Sequence, residues 1–299
     1  MKDILIIGGG PAGLTAAIYA ARAGKTVTLC ERESMGGQIT HAHKVSNYPG
    51  FTEISGTEFG DKLCSHAMDM GAEIAFASVE SLTKEGDIFK AVTDDGEMEA
   101  KAVIFAGGAK PRNLGVAREE ELIGAGVSYC ALCDGAFFSG KDVAVVGGGN
   151  SAFNDARCLA GVCRSVTLIH RREGFRAEQA QIDAAKKAGN IHFKLGYTVS
   201  GLEGEGRLKA VTIRNADGEE SVAVDAVFVA LGRVPDTELI APFADLDPAG
   251  YVLSGEDCAT RTPGLYVAGD CRSKSVRQLT TATADGTVAA THACEYLDI

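Results

Sequence analysis

Residues 3–32, DILIIGGGPAGLTAAIYAARAGKTVTLCER, carry the clearest structural pattern in the chain. An apolar run leads into three glycines, a small-residue segment predicts a helix, and a second apolar run ends at Glu31. Gly8, Gly10 and Gly13 have the spacing G-x-G-x-x-G, which allows a tight turn, close approach of a pyrophosphate, and packing of helix on strand. The spacing alone also occurs in turns that only connect elements. With Glu31 at the strand end, it predicts a dinucleotide site for an unphosphorylated adenosine ribose.

The pattern occurs a second time in residues 142–172, DVAVVGGGNSAFNDARCLAGVCRSVTLIHRR. Here Gly147, Gly149 and Ala152 take the places of the three spaced glycines, and the second apolar run ends at His170. Two copies of strand, glycine turn, helix and strand predict two nucleotide-binding units of common ancestry.

Each copy is followed by a matching antiparallel segment. Residues 89–108 and 208–233 both contain a short strand, an Asp-Gly turn and an apolar strand ending in glycine, so that Gly107 corresponds to Gly232. We therefore predict a small antiparallel insert in each unit.

Cations follow the second copy at the position where the first has an acid. Arg171 and Arg172 come directly after His170, and Arg176 lies a few residues further on. Guanidinium groups suit a 2′-phosphate, whereas a carboxylate would repel it. The cluster indicates that the second unit prefers NADPH to NADH, although the interleaved Glu173 leaves open a merely solvated charged surface.

Two cysteines stand two residues apart in YCALCDGAFFSG, residues 129–140. Cys130 and Cys133 have the spacing of a redox dithiol or of half a zinc site. Asp134 follows at once and suits either an acid–base role for the thiols or a helix cap. Two dinucleotide sites and a dithiol together suggest a two-electron route from a nicotinamide to a disulfide, with a flavin as the carrier.

Length and composition limit the class of protein. A chain of 299 residues favours two domains. The net charge of −11 argues against a nucleic-acid surface, and the start MKDILIIGGG lacks the apolar length of a signal peptide or membrane span, so we expect a cytoplasmic location. Nine cysteines then predict mostly buried thiols, and the scattered histidines give no metal signature.

The whole chain resembles the low-molecular-weight bacterial thioredoxin reductases. The motifs that carry the resemblance are GGGPAG (8–13) with Glu31, GGQ (36–38), NYPG (47–50), GGGNSA (147–152), HRREGFRA (170–177), GLYVAGD (264–270) and Arg277-Gln278. The resemblance implies an α/β fold of two three-layer, Rossmann-like domains, with an NADPH domain inserted in an FAD domain. The expected ranges are 1–114 and 244–299 for the FAD domain, and 115–243 for the NADPH domain that carries the C-x-x-C motif.

The internal repeats and the family resemblance together predict two sets of cofactor-binding residues. The FAD set is Gly8, Gly10, Pro11, Ala12, Gly13, Glu31, Gly37, Gln38, Asn47, Gly107, Gly269, Asp270, Arg277 and Gln278. The NADPH set is Gly147, Gly149, Asn150, Ser151, His170, Arg171, Arg172, Arg176, Gly232 and Arg233. In the family pattern Asp270 holds the ribityl chain.

The resemblance also implies roles and partners. Cys133 lies nearer the flavin, Cys130 attacks the disulfide of a separate thioredoxin, and Asp134 donates a proton. Family members are homodimers, and one domain rotates on two linkers, here expected near residues 113–117 and 240–246. No metal, nucleic acid or membrane partner is expected.

Two residues depart from the family pattern. Leu132 stands where a smaller or polar residue is usual, and Asn154 where many relatives have an acid.

Other functions remain open. The alternatives are a flavin-dependent dithiol oxidase, a reductase of another thioredoxin-like carrier, and a regulatory module that uses Cys130 and Cys133 as zinc ligands. The arginine cluster disfavours the oxidase, which has little need of NADPH.

Overall fold

The computed structural model describes residues 1–42 and 44–298 of the chain. The strands are β1 (Lys2–Ile7), β2 (Val27–Glu31), β3 (Glu73–Phe76), β4 (Val79–Glu85), β5 (Ile88–Thr93), β6 (Gly96–Phe105), β7 (Ala109–Pro111), β8 (Val127–Ser128), β9 (Asp142–Val146), β10 (Ser165–His170), β11 (Ile191–Leu195), β12 (Thr198–Glu203), β13 (Ala210–Arg214), β14 (Glu219–Ala223), β15 (Ala226–Val229), β16 (Arg233–Pro235) and β17 (Leu265–Val267). The helices are α1 (Pro11–Arg22), α2 (Gly56–Asp69), α3 (Ala131–Asp134), α4 (Asn150–Ala160), α5 (Gln179–Lys187) and α6 (Leu279–Leu297).

The chain packs as two compact units. The first unit combines residues 1–110 with 234–299, and the second is the continuous segment 111–233. Both boundaries lie earlier in the chain than those expected after residues 114 and 243. The reason at the second boundary is packing, because Ile240 and Ala244 are buried in the core of the first unit.

The main sheet of the first unit is covered on both faces. Ile4 and Ile6 of β1 pack with residues of α1 and α6, whereas Leu5 and Ile7 pack in a separate apolar cluster on the other face. A strand buried on both sides reads as a continuous apolar run, as ILII does. The alternation of side chains along β1 therefore produces a three-layer unit.

Strand β6 joins two parts of that sheet. The order is β3-β2-β1-β6-β5-β4, with β17 also paired to β6. Residues 96–100 of β6 pair antiparallel with β5, while residues 103–105 pair parallel with β17. The first unit thus needs the late segment of the chain to complete its parallel sheet.

The second unit has a parallel sheet of order β11-β10-β9-β15-β8 and a separate antiparallel sheet β12-β13-β14. Along β9, Val143 and Val145 pack in one core cluster, and Ala144 and Val146 in another. The prediction of an α/β fold with two Rossmann-like units is confirmed. Within the described ranges no helix is long and apolar enough to span a membrane.

The antiparallel inserts of the two copies differ in one respect. In the first copy the single strand β6 runs from the hairpin into the parallel sheet. In the second copy these tasks fall to two strands, β14 and β15, in different sheets. The sequence similarity of residues 89–108 and 208–233 did not reveal this break.

Candidate active site

The first glycine turn is built so that only glycine fits. Gly8 has φ 109°, and a Cβ on Gly13 would lie 1.9 Å from the Gly8 carbonyl oxygen. The Gly9 N–H donates to Glu31 Oε2 at 2.6 Å, and the Glu33 N–H donates to Glu31 Oε1 at 2.7 Å. Each carboxylate oxygen keeps a further lone pair for a ligand hydroxyl. Hydrogen bonds therefore join Glu31, at the end of β2, to the glycine turn, in the arrangement that the motif predicts.

The segment around Gly37 lines the same turn. Gly36 donates its N–H to the Gly9 carbonyl at 2.8 Å, and a Cβ on Gly37 would lie 3.1 Å from Gly10 Cα. A Cβ on Gly10 itself would meet nothing closer than Gly36 O at 4.0 Å. This leaves space at the start of α1, where helix N–H groups favour phosphate. Gln38 lies in the short helix Gly37–His41.

A buried turn from the late segment completes the first site. Gly269, with φ 84°, begins the 3-10 turn Gly269–Cys271, and a Cβ there would lie 2.9 Å from Ala12 Cβ. Asp270 Oδ1 is buried and has no hydrogen-bond partner among the described residues. A buried carboxylate oxygen without a donor is costly, so this atom is suited to receive a ligand hydroxyl.

Two of the predicted FAD residues also make close contacts within the protein. The Arg277 guanidinium donates to the carbonyls of Asp270 and Arg272 at 3.2 and 3.0 Å and lies 4.0 Å above the Tyr251 ring. A Cβ on Gly107 would lie 2.5 Å from the Phe105 ring. These contacts hold both residues within the first unit, and their contact with FAD stays a prediction.

Three of the remaining predicted residues lie at helix starts, and a fourth lies in a loop. Pro11 and Ala12 open α1, and Gln278 immediately precedes α6. Asn47 donates from Nδ2 to Gln278 Oε1 at 3.2 Å. The structure thus brings together two predicted residues that are far apart in sequence.

The second glycine turn repeats the first with a histidine beneath it. A Cβ on Gly147 would lie 2.5 Å from Ala230 O, and one on Gly149 would meet nothing within 4 Å. The His170 ring is 8% exposed, stacks on Phe175, and would lie 2.3 Å from a Cβ on Gly148. Burial, chiefly, and then the nearby arginines lower the His170 pKa. The His170 ring lies against the turn at Gly148, and its contact with NADPH stays a prediction.

The arginines expected at this site are exposed. Arg171, Arg172 and Arg176 make no side-chain hydrogen bond or ion pair with any described residue. The Arg176 N–H donates to the Gly148 carbonyl at 2.9 Å, which attaches this loop to the glycine turn. Open space at Gly149 and unpaired cations beside it fit a phosphorylated dinucleotide.

The other predicted NADPH residues flank that turn. Asn150 starts α4 and exchanges two hydrogen bonds with Glu178, and Ser151 is exposed in the first turn of the helix. Gly232 has φ 98° and its carbonyl accepts from Arg112 N–H at 2.9 Å, and Arg233 begins β16.

Cys130 and Cys133 form a disulfide with a Cα–Cα distance of 5.3 Å. Both cysteines are half-buried, and the Cys133 N–H donates to Cys130 Sγ at 3.2 Å. A hydrogen bond to sulfur favours the charged form, so an N–H held in this position would favour a thiolate on Cys130 once the disulfide is reduced. Leu132, between them, is 64% exposed.

Ser128, which the sequence analysis did not single out, links both ends of this motif. The buried Ser128 hydroxyl donates to Asp134 Oδ2 at 2.6 Å and accepts from the Cys130 N–H at 3.1 Å. The Asp134 side chain makes no helix-capping hydrogen bond to the turn that follows it. Asp134 thus contacts the dithiol segment through Ser128, and its acid–base role stays a prediction.

The residue before the dithiol is held by a buried acid. Glu119, 4% exposed, accepts from the Tyr129 hydroxyl at 2.7 Å and from the N–H groups of Leu114 and Gly115 at 2.7 and 2.9 Å. Burial and this carboxylate raise the Tyr129 pKa. The segment expected as a linker near residues 113–117 thus lies in the second unit and is hydrogen-bonded within it.

Four buried cysteines outside the C-x-x-C motif have unreactive thiols. Burial raises the pKa of Cys30, Cys163 and Cys258 to about 11 and that of Cys271 to about 12, so these thiols stay protonated near neutral pH. No group of metal-binding side chains occurs in the part of the chain that the structure describes.

Comparison with known proteins places the chain in a family. The family model of the pyridine nucleotide-disulphide oxidoreductases matches residues 2–286. The chain belongs to this family. It is 42% identical to the thioredoxin reductase of Listeria monocytogenes serovar 1/2a, over 99% of the chain and 94% of that protein.

Solved structures agree with this assignment. The thioredoxin reductase of Streptococcus pyogenes MGAS5005 is 38% identical, with a TM-score of 0.96 over 100% of this chain and 98% of that one. The thioredoxin reductase of Giardia duodenalis is 33% identical, with a TM-score of 0.93 over 100% and 99%. The expected family is therefore confirmed.

This oxidoreductase is an NADPH-dependent flavoprotein, as the sequence predicted, with FAD and NADPH as its cofactors. The open glycine turns, the buried acceptor on Asp270 and the unpaired arginines fit these two molecules. The individual binding residues stay predictions.

Asp155, one turn into α4, was also missed from sequence. Burial raises its pKa to about 6, and Arg233 opposes the shift. Its neighbour Asn154 is exposed. A carboxylate inside an otherwise ordinary helix gives no sequence signal, because its burial depends on the packing of the helix.

Proposed function

We propose that this oxidoreductase is a thioredoxin-disulfide reductase. It transfers two electrons from NADPH, through FAD and the Cys130–Cys133 pair, to the disulfide of a separate thioredoxin. The observation that carries the proposal is the half-buried disulfide, with Asp134 held next to it by Ser128, in the unit that also bears the exposed arginines. Relatives named thioredoxin reductase, similar over nearly the full chain, support it.

The bound cofactors supply the two electrons that reduce the Cys130–Cys133 disulfide to a dithiol. Cys130, stabilised as a thiolate by the Cys133 N–H, then attacks one sulfur of the thioredoxin disulfide. A Cys130–thioredoxin disulfide forms, and the Asp134 carboxylate passes the proton released by the Cys130 thiol to the leaving sulfur. Cys133 next attacks Cys130 Sγ, and its thiol proton passes through Asp134 to the second thioredoxin sulfur, so that the internal disulfide re-forms and reduced thioredoxin leaves.

Chain residues also orient the cofactors. Arg171 and Arg172 would bind the 2′-phosphate of NADPH, and the glycine turn beside them would face its pyrophosphate. Glu31 and Asp270 would accept hydroxyls of the FAD adenosine ribose and of its ribityl chain. Neither carboxylate moves a proton in this scheme.

Assembly and location belong to the same proposal. We expect a homodimer in the cytoplasm, where seven free cysteines would stay reduced. Light scattering on the purified protein tests the dimer, and a monomeric mass would contradict it.

The decisive experiment is anaerobic. NADPH should bleach the flavin of the purified protein, and oxidised thioredoxin should restore its colour. In Cys130→Ser the flavin should still bleach, whereas thioredoxin reduction should fall by about three orders of magnitude because the attacking thiolate is missing. Cys158→Ser, at an exposed cysteine outside the motif, is the matched control.

Other outcomes separate the alternatives. If NADPH leaves the flavin oxidised while a dithiol bleaches it and oxygen restores it, the protein is a dithiol oxidase. If NADPH bleaches the flavin but only another small dithiol protein restores it, thioredoxin is the wrong carrier. Bound zinc without turnover would indicate the regulatory module.

A further inference from the structure

Four charged side chains of the first unit form a largely buried cluster behind the predicted flavin-binding turn. The exposed fractions of their side chains are 25% for Asp270, 10% for Arg272, 14% for Lys274 and 13% for Asp285. Two positive and two negative groups balance one another. Charges removed from water to this extent need close partners, so the pairing within the cluster is specific.

Asp285, on α6, uses both of its carboxylate oxygens. Oδ1 accepts from Arg272 Nη1 at 2.6 Å. Oδ2 accepts from the Gly269 N–H at 3.0 Å and from Lys274 Nζ at 2.8 Å. Arg272 is further held by Ser254 Oγ at 2.8 Å. Asp285 thus connects α6 to the backbone that carries Asp270.

Lys274 lies between two carboxylates. Its Nζ is 2.8 Å from Asp285 Oδ2 but 3.8 Å from Asp270 Oδ1. That second oxygen is buried and accepts no hydrogen bond from the described residues. An ammonium group has three donors and a flexible stem, so it would move to Asp270 if its nearer partner lost its charge.

We propose that Asp285 is a positioning residue that holds the Lys274 ammonium away from Asp270. Asp270 Oδ1 thereby stays available for a hydroxyl of the polyol chain of FAD. The inference rests on the proposed function in one respect, because it takes FAD as the ligand of the Asp270 turn. Without Asp285, Lys274 would occupy the oxygen that the ligand needs.

The test compares Asp285→Asn, Lys274→Met and the double variant, each purified as the FAD-bound protein. The rate of FAD release is followed by the rise of free-flavin fluorescence, with far-ultraviolet circular dichroism as the measure of folding. D285N should release FAD about tenfold faster than wild type, as expected for one lost hydrogen bond to a charged group. K274M should release FAD at the wild-type rate, and the double variant within about threefold of it.

Rescue by K274M distinguishes positioning from a merely structural role. If the double variant releases FAD as fast as D285N, Asp285 acts only through Gly269 and Arg272, and the proposal is wrong. Release from D285N at the wild-type rate would also overturn it. Wild-type protein that purifies without FAD would instead contradict the proposed function.

A crystal structure of the wild-type FAD complex keeps the proposal testable should D285N fail to fold. We expect Lys274 Nζ on Asp285 and a flavin hydroxyl on Asp270 Oδ1. Lys274 Nζ within hydrogen-bond distance of Asp270 Oδ1 in that complex would overturn the proposal.

Discussion

Removal of the Ser128 hydroxyl is the smallest substitution that we expect to affect thiol–disulfide exchange. The Ser128 hydroxyl donates a hydrogen bond to the Asp134 carboxylate and accepts one from the Cys130 N–H. A hydrogen bond to a charged group contributes about 1.5–3 kcal/mol. Its loss should therefore disturb proton delivery to the leaving thiol more than cofactor binding.

Ser128→Ala should lower kcat for thioredoxin reduction about tenfold, the low end of that range. The rate of flavin bleaching by NADPH should not change, because the glycine turns are untouched. Stopped-flow and steady-state kinetics give both numbers. Ser139→Ala, at an exposed serine of the same region, is the control and should match wild type. An unchanged kcat in S128A would show that Asp134 needs no orientation by Ser128.

Arg171 and Arg172 should set the choice of nicotinamide cofactor. Replacing both with Gln should raise KM for NADPH by roughly tenfold for each lost guanidinium–phosphate contact, and leave KM for NADH unchanged. Arg164→Gln is the control, since this exposed arginine of the same unit is paired with Asp142. Equal effects on both cofactors would contradict a 2′-phosphate site.

Asp155, in helix α4, makes the stability of the folded protein depend on pH. Its pKa of about 6 in the folded protein exceeds the usual aspartate value because of burial. The folded state therefore binds more proton than the unfolded state between about pH 4 and 6, and the stability contributed by this group falls as pH rises through that window.

Asp155→Asn should consequently stabilise the protein by about 1–2 kcal/mol near pH 8, because the amide mimics the protonated acid. The gain should shrink toward zero near pH 4. Denaturant unfolding of variant and wild type at both pH values measures it. A gain that does not depend on pH would show that the charge of Asp155 is not the cause.

Helix α6 lies against α1 so closely that one methyl group should matter. A Cβ on Gly286 would lie 2.2 Å from the Ala12 carbonyl oxygen. By helix propensity alone, glycine to alanine would stabilise α6 by about 1 kcal/mol. Here the steric clash with backbone should dominate and reverse the sign.

Gly286→Ala should destabilise the protein by about 1–3 kcal/mol, with a matching fall in Tm and weaker FAD retention. Gly189→Ala is the control, because a Cβ there would meet nothing within 4 Å. Thermal unfolding followed by circular dichroism distinguishes the two. A rise in Tm for G286A would show that α6 moves away from α1 at little cost.

The molecule as a whole is divided unequally between its two units. The second unit is one continuous segment with its own core on both faces of its sheet. The first unit needs β17 and α6 from the end of the chain, which pack on β6 and α1. Only the second unit is therefore built from one continuous segment of the chain.

Residues 111–233 expressed alone should fold cooperatively and bind NADPH, because their core and glycine turn are contained in that segment. Calorimetric unfolding and a titration with NADPH provide the measurements. Residues 1–110 alone should not fold, since they lack β17 and α6. A non-cooperative 111–233 fragment would mean that the second unit depends on the first.

Features that depend on a few neighbouring residues were predictable. The glycine spacing, the apolar runs and the C-x-x-C motif predicted both turns, the two parallel sheets and the disulfide, because φ angles, side-chain alternation and ring closure are local properties. The exposed arginines follow equally from their place after a strand. These patterns also sufficed to predict the family.

Contacts between distant residues came from folding alone. The hydrogen bond from Gly269 to Asp285, the contact of Gly286 with Ala12 and the burial of the His170 ring depend on how helices and strands pack. The unit boundaries also differ from those expected, because apolar residues of the supposed second linker fill a core. Sequence spacing fixes side-chain periodicity within an element, whereas burial and charge pairing arise only when elements meet in space.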